Sequence, residues 1–325
     1  MFAFAVRRLL VSIPVFLLST LLVFLLVAYG ANPLAQLKAK NPPPSQATLD
    51  AMAHTLYLDH GLLARYWHWL TQLLFHGDWG PSVQSATDIG HLLRSSLTLT
   101  LRLVLLAMVV AVILAIVAGV ISAVRQYSKL DYGITLGGFL FLSLPVFWFA
   151  ILLKQLAINF NNSTGNYFLQ TYGSGTPGLT GWSAFTDALG HLILPTVVLA
   201  MSSYASWSRF QRASMLDVLG SDYLRLARAK GLRRGRVMIR HGLRTALIPL
   251  TTQVALDVAA ILGGAVLTET VFGWRGMGTM LINGINSQDT NIILAWLVVS
   301  AVIVILFNLV ADLLYAVLDP RIRLA

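Results

Sequence analysis

Six stretches of this 325-residue chain are apolar over about the 20 residues that a helix needs to cross a bilayer. Because lipid offers no hydrogen-bond partner to backbone N–H and C=O groups, such stretches must be helices. We therefore predict an all-α membrane protein with six transmembrane helices, at about residues 9–29, 97–124, 133–158, 188–208, 245–270 and 291–318. The composition agrees, since 57% of the residues are hydrophobic and only 11% are charged.

The basic residues predict the orientation of these helices. Ten of the 23 Lys and Arg residues lie in the loop 209–244, between the fourth and fifth spans. Lys and Arg beside a span are retained in the cytoplasm, so this loop is predicted to be cytoplasmic. With six spans, both termini fall on the same side, together with Arg7, Arg8, Arg125, Lys129, Arg321 and Arg323. Loop bias thus explains the net charge of +10, and we expect no nucleic-acid partner.

The spans divide the chain into three parts: a first transmembrane helix at 1–30, an external insertion at 31–96, and a five-helix core at 97–325 that contains the cytoplasmic loop 209–244. The apolar run near the N-terminus is too long for a signal peptide and is expected to stay as a span. Within the insertion, apolar and aromatic residues recur at helical spacing from Leu62 onward. They predict either an amphipathic helix at the membrane interface or a docking surface for an external partner.

Small and helix-breaking residues predict how the spans pack. The third span contains Leu144-Pro145, which predicts a kink. Small residues that let another helix approach closely recur every four positions in the second span and again in the fifth. They are Ala107, Ala111, Ala115, Gly119 and Ala123, followed by Ala255, Ala259 and Gly263.

A short helix is predicted inside the basic loop, over 221–231. Ser221 or Asp222 can cap its start, and Gly231 can end it. At about 1.5 Å per residue the helix is only about 13 Å long, which suits a short protruding helix rather than a transmembrane span. Its expected apolar face and surrounding cations are Tyr223, Leu226 and Ala227, with Arg225, Arg228 and Lys230.

The sequence contains no motif for catalysis or cofactor binding. There is no Cys, no GxxxxGK[ST] phosphate loop, no GxSxG turn and no HExxH pair. We therefore expect no catalytic residue, no metal site and no cofactor in this chain.

Asp257 is a carboxylate within the predicted fifth span. An ionised group there raises the free energy of membrane insertion, and such groups are commonly functional.

Several motifs carry a family resemblance. The runs Asp222-Tyr-Leu-Arg-Leu-Ala-Arg-Ala-Lys-Gly231 and Arg240-His-Gly-Leu-Arg-Thr-Ala-Leu-Ile-Pro249 resemble the coupling-helix loop of ABC importer permeases, in the dipeptide and oligopeptide branch. Three further runs resemble the B-type subunit in the same order. They are Arg7-Arg8-Leu-Leu-Val-Ser-Ile-Pro14, Glu269-Thr-Val-Phe-Gly-Trp-Arg-Gly-Met-Gly278 and Leu313-Leu-Tyr-Ala-Val-Leu-Asp-Pro-Arg-Ile-Arg323. Arg225 departs from the wider family, which has Glu at this position.

This resemblance implies a type I ABC importer permease fold in a bacterial inner membrane. It also implies a second, C-type permease subunit, two ABC ATPase subunits that bind ATP and Mg, an external solute-binding protein and a peptide substrate. The residues that would couple this chain to the ATPases are Leu219, Gly220, Ser221, Asp222, Tyr223, Arg225, Leu226, Ala227, Arg228, Lys230 and Gly231.

Other functions remain open from the sequence. The same architecture could import nickel chelates or glutathione instead of peptides. A different class, an ion- or proton-coupled carrier that works without ATP, would require Asp257. A membrane enzyme would need a polar cluster at one membrane face, and the sequence offers none.

Overall fold

The computed structural model describes residues 2–30, 32–39, 41–82 and 88–318. Arg321, Arg323 and the end of the C-terminal motif lie outside the described residues. Within them the regular structure is helical. The helices are α1 (Phe2–Gly30), α2 (Ala35–Lys38), α3 (Gln46–Thr55), α4 (Leu62–Thr71), α5 (Ile89–Val124), α6 (Lys129–Ser143), α7 (Val146–Thr164), α8 (Gly181–Leu219), α9 (Asp222–Ala229), α10 (Arg234–Val237), α11 (Arg244–Leu256), α12 (Val258–Phe272), α13 (Met277–Asn286) and α14 (Thr290–Leu318), with π-helical turns at Gln72–His76 and Met238–Leu243.

Four helices of the described chain are long and apolar enough to cross a membrane, and six spans result if each of two bent pairs counts as one. The four lie in α1, α5, α8 and α14. The first bent pair joins α6 to α7 at 106°, and the second joins residues Gly235–Leu256 to α12 at 52°. The predicted third and fifth spans are therefore broken helices rather than straight ones.

The 106° bend replaces the kink expected at Leu144-Pro145. Leu144 is extended, with φ −86° and ψ 127°, and Pro145 is the residue that precedes the first turn of α7. A proline ring disfavours the helical conformation of the residue before it, so α6 ends and α7 starts afresh. The sequence correctly located the irregularity but underestimated its size.

The described chain forms two compact units. One comprises residues 9–101 and 275–303. In its core, Tyr66, Trp69 and Leu70 of α4 pack with Phe24 of α1 and with Leu294 and Val298 of α14. The hydroxyl of Tyr66 lies 3.0 Å from Thr20 Oγ1. One apolar face of the predicted amphipathic helix is thus buried in protein, whereas Leu63, Trp67 and Leu74 are exposed.

The other unit comprises residues 2–8, 102–274 and 304–318 of the described chain, and the 39-residue α8 is its central helix. Helices α6, α7, α11 and α12 all pack against α8. The small residues predicted to line α5 are buried, as expected from the sequence. At Gly119 an added Cβ would lie 2.9 Å from the backbone oxygen of Ser208, so α5 and α8 meet there backbone to backbone.

Candidate functional site

The predicted short helix in the basic loop is present as α9, and its ends lie close to the expected residues. Ser221 is extended immediately before the first turn, with φ −71° and ψ 148°. The helix ends at Ala229, and Gly231 follows with φ +77°, a left-handed conformation that favours glycine. A helix of eight residues between two turns is too short to span a membrane.

The start of α9 lacks the side-chain cap expected from Ser221. Its hydroxyl donates instead to the carbonyl of Val218, in the last turn of α8. Asp222 lies in the first turn, where a carboxylate is favoured by the helix dipole, and pairs at 3.4 Å with Arg225. Both side chains are exposed, so this pair contributes little to stability.

Leu224 anchors α9 to the rest of its unit. Its side chain is fully buried among Ala123 of α5, Met215 and Val218 of α8, Val237 of α10 and Ala246 of α11. Full burial of a leucine stabilises a contact by about 1.5–3 kcal/mol. The sequence analysis missed Leu224, although its spacing of three from Ala227 is a helical signal.

The exposed face of α9 carries Tyr223 and Leu226, whose side chains are 44% and 58% accessible. Exposed aromatic and aliphatic groups on a rigid helix suit contact with another protein. Ala227 is half-buried and packs toward the buried cluster around Leu224. The other predicted coupling residues are exposed, except for Leu219 and Ser221, which are half-buried.

Two of the predicted coupling arginines turn back toward α8. Arg225 and Arg228 each place Nη2 3.4 Å from a carbonyl at the end of α8, those of Gly220 and Leu219. The last carbonyls of a helix lack helical partners and carry partial negative charge, which cations there offset. These arginines therefore brace the turn between α8 and α9, and Tyr223 and Leu226 remain as its outward apolar groups.

A buried ion pair lies just before the coupling segment. Arg212 of α8 donates to both carboxylate oxygens of Asp131, with Nε 2.9 Å from Oδ1 and Nη2 2.8 Å from Oδ2. Asp131 also accepts hydrogen bonds from the Ser122 hydroxyl and from the Tyr127 N–H. This network joins α8 to α5 and α6. In the sequence, Arg212 is only one of the ten basic residues that predict a cytoplasmic loop at 209–244. The available signal for the ion pair is Asp131, which is the one carboxylate in the basic turn 125–132.

Asp257 lies at the break between α11 and α12. Its carboxylate accepts hydrogen bonds from Trp207 Nε1 at 2.7 Å and from Gln253 Nε2 at 2.9 Å. These two neutral donors satisfy hydrogen bonds of the Asp257 carboxylate within its own unit. Among the described residues, no three His, Cys, Asp or Glu side chains are grouped so as to hold a metal ion.

Comparison with known families places the chain among transport proteins. Residues 111–324 match the family described as "Binding-protein-dependent transport system inner membrane component". Residues 1–91 match the corresponding N-terminal family, "Binding-prot-dependent transport system membrane comp, N-term".

Curated relatives match over almost the full length. The oligopeptide transport system permease protein OppB of Mycobacterium bovis is 41% identical over 98% of both chains. AppB of Bacillus subtilis, also an oligopeptide transport system permease, is 39% identical over 99% of this chain and all of its own. The dipeptide transport system permease DppB of Escherichia coli is 36% identical over 99% of both.

A solved structure shares the fold. A chain of the inward-facing MetNI methionine ABC transporter superposes with a TM-score of 0.54, covering 70% of this chain and 97% of its own. Its sequence identity is 17%, so the likeness concerns the fold only.

Proposed function

The chain belongs to the family of inner membrane components of binding-protein-dependent transport systems, and from this premise we propose that it forms half of the translocation pathway of an ATP-driven peptide importer. It is a multi-pass membrane permease subunit with the all-helical fold of type I ABC importers. The observation that supports peptides as the substrate is the end-to-end match to oligopeptide and dipeptide permeases at 36–41% identity.

The proposed route of coupling runs through α9. Exposed Tyr223 and Leu226 would contact an ATPase subunit, while Leu224 holds the helix to α5, α8, α10 and α11. Displacement of α9 would then act on several long helices at once, because a packed core transmits rigid-body motion. The chain itself would hydrolyse nothing, since ATP and Mg would be bound by the partner ATPases.

We propose the partners that such a system requires: a C-type permease subunit, two ABC ATPases, an external solute-binding protein and the surrounding bilayer. Both termini and α9 would face the cytoplasm, because the basic residues cluster there. The ion-coupled alternative has no support from Asp257, whose carboxylate is hydrogen-bonded to Trp207 and Gln253 within its own unit.

Affinity capture tests this proposal. The tagged chain is solubilised from its native membranes in mild detergent, and the proteins captured with it are identified by mass spectrometry. Recovery of a second permease and of ABC ATPases, together with loss of labelled tripeptide uptake when the gene is deleted, is the expected result. Repeated capture of this chain by itself, under conditions that keep other membrane complexes intact, would refute the ATP-driven assignment.

A further inference from the structure

A cavity of about 250 Å³ lies within the unit formed by residues 9–101 and 275–303. It is somewhat smaller than the roughly 300–1,000 Å³ of pockets for drug-sized ligands, so it fits a ligand of a few polar groups. Six of the residues that line it determine its chemistry: Tyr57, Arg65, His68, Trp69, Asp78 and Thr290.

Two of the residues that line this cavity each carry a buried polar atom without a hydrogen-bond partner among the described residues. The atoms are the indole Nε1 of Trp69 and the hydroxyl of Thr290, and each side chain is only 8% accessible. Buried donors and hydroxyls are nearly always hydrogen-bonded in folded proteins. Neither polar atom is exposed at the surface of the cavity, so these two groups do not themselves contact a ligand there.

The cavity also presents one cation and one carboxylate that do not pair with each other. No carboxylate of the described chain lies within 4.0 Å of the guanidinium of Arg65, which instead lies 5.9 Å from the ring of Phe24. Burial lowers the pKa of Arg65, as expected for a cation that lacks an ionic partner. Asp78 accepts a hydrogen bond from the Gly80 N–H at 2.8 Å and keeps further acceptor capacity.

One wall of the cavity is fixed by stacking. The ring of Tyr57 lies between those of His60 and His68, at centroid distances of 3.9 and 4.1 Å and interplanar angles of 6° and 11°. Tyr57 has φ +57°, an unusual conformation for a residue with a side chain. Such a conformation persists where its surroundings hold it, and here the histidines hold a flat aromatic wall.

We propose that this cavity binds a small zwitterion, an amino acid or the ionised ends of a short peptide. Arg65 binds the carboxylate, for which the guanidinium fork is suited, and Asp78 binds the ammonium group. The choice of a peptide as the zwitterion rests on the proposed function, whereas the zwitterion site itself rests on the cavity.

Equilibrium dialysis with labelled trialanine tests this site on the full chain in phosphatidylcholine nanodiscs, without ATPases or binding protein. Trialanine amidated at its C-terminus lacks the carboxylate, and N-acetyl trialanine lacks the ammonium group. Arg65→Gln removes the proposed cation from the cavity. Lys38→Gln removes the same charge from an exposed residue of the same insertion that does not line the cavity, and is the matched control.

We expect wild type and Lys38→Gln to bind trialanine alike, and Arg65→Gln to bind it about 10- to 100-fold more weakly. Amidation should weaken binding to wild type by a similar factor, yet change nothing in Arg65→Gln. Arg65→Lys should bind more tightly than Arg65→Gln because it keeps the charge. Equal affinity of wild type for free and amidated trialanine, or equal losses in both Arg65 variants, would overturn the site.

Two further results separate this proposal from its alternatives. Displacement of trialanine by phosphatidylethanolamine in the nanodisc would overturn the peptide assignment, since it would identify a lipid headgroup as the zwitterion. Because the assay needs no ATPase, failed capture of ATPases with intact trialanine binding would refute the proposed function and support this site. Successful capture and peptide uptake without trialanine binding would overturn the site and leave that function standing.

Discussion

Arg212 donates hydrogen bonds to both carboxylate oxygens of Asp131, from Nε at 2.9 Å and from Nη2 at 2.8 Å. Asp131 lies 81 residues earlier in the chain. The carboxylate side chain is 4% accessible and the guanidinium side chain 27%, so the pair is largely shielded from solvent. This ion pair joins α8 to α6, and α9 begins ten residues after Arg212. The segment proposed to contact the ATPases is therefore held in place by this ion pair in α8 and by the buried side chain of Leu224 in α9.

Removal of Arg212 should strongly destabilise the protein. Arg212→Ala leaves the buried Asp131 carboxylate without a cation, and we expect a loss of about 3–5 kcal/mol. Arg209→Ala is the matched control, since that exposed guanidinium lies 5.0 Å from the Phe139 ring and should contribute about 1 kcal/mol or less. The melting temperature in detergent, followed by tryptophan fluorescence, measures both. Similar decreases in the two variants would contradict the role of the ion pair.

Two leucines of α9 should separate anchoring from docking. Leu224→Ala removes a fully buried side chain and should lower stability by about 2–5 kcal/mol. Leu226→Ala changes an exposed side chain and should leave the free energy of unfolding within about 0.5 kcal/mol of wild type. We expect Leu226→Ala nevertheless to reduce ATPase co-purification, which blotting of the captured complex would measure. Unchanged co-purification would place the docking face elsewhere.

Gly231 should tolerate a side chain less well than Gly235. An added Cβ meets nothing within 4 Å at either residue, so only the backbone distinguishes them. Gly231 has φ +77°, and Ala there should cost about 1–2 kcal/mol, whereas Gly235→Ala in α10 should be neutral or stabilising. Peptide uptake normalised to the amount of inserted protein should fall only for Gly231→Ala. Equal uptake by the two variants would mean that the end of α9 is not strained by alanine.

Gly119 should be sensitive to a single methyl group. Its added Cβ would lie 2.7 Å from Gln211 Cβ and 2.9 Å from the Ser208 carbonyl, so α5 and α8 would have to separate. Such overpacking costs about 1–3 kcal/mol. Gly133→Ala is the control, because nothing lies within 4 Å of its added Cβ. Size-exclusion profiles in detergent and the melting temperature should deteriorate for Gly119→Ala only, and a stable Gly119→Ala protein would disprove the close helix contact.

Asp257→Asn decides between the ATP-driven importer and an ion-coupled carrier. Asparagine keeps an acceptor for Trp207 Nε1, the donor now 2.7 Å from the carboxylate, but removes the proton-carrying group. We expect the variant to retain substantial uptake of labelled tripeptide and the wild-type dependence on external pH. Complete loss of uptake with normal membrane insertion would favour the carrier.

Periodicity and charge were sufficient to predict most of the fold. Long apolar runs predict α1, α5, α8 and α14, since burial in lipid imposes a helix whatever the neighbours are. The stripe around Gly119 was also readable, because only small residues permit such close contact. The two breaks were harder to predict. Pro145 indicates that the helix is interrupted there, but nothing in the neighbouring sequence indicates the angle of the bend. The break at Asp257 has neither a proline nor a glycine beside it.

The candidate site was predictable in position but not in orientation. Gly231 and Ser221 mark the ends of α9 through backbone preferences that are local. Whether Leu224 or Leu226 faces inward depends on Val237 and Ala246, which approach from elsewhere in the chain. The pairing of Arg212 with Asp131 depends likewise on how α6 and α8 pack. Such contacts are tertiary, and a single sequence does not specify them.

Site-specific crosslinking from α9 tests whether this helix contacts an ATPase subunit. The chain has no Cys, so Leu226→Cys provides a single attachment point for a photoactivatable crosslinker. Trp67→Cys, in the predicted external insertion, is the control, because Trp67 and Leu226 are both 58% accessible. After illumination of native membranes, we predict an adduct between residue 226 and an ABC ATPase, and none from residue 67. Capture of the ATPase without an adduct at 226, or with equal adducts from both residues, would contradict docking through α9.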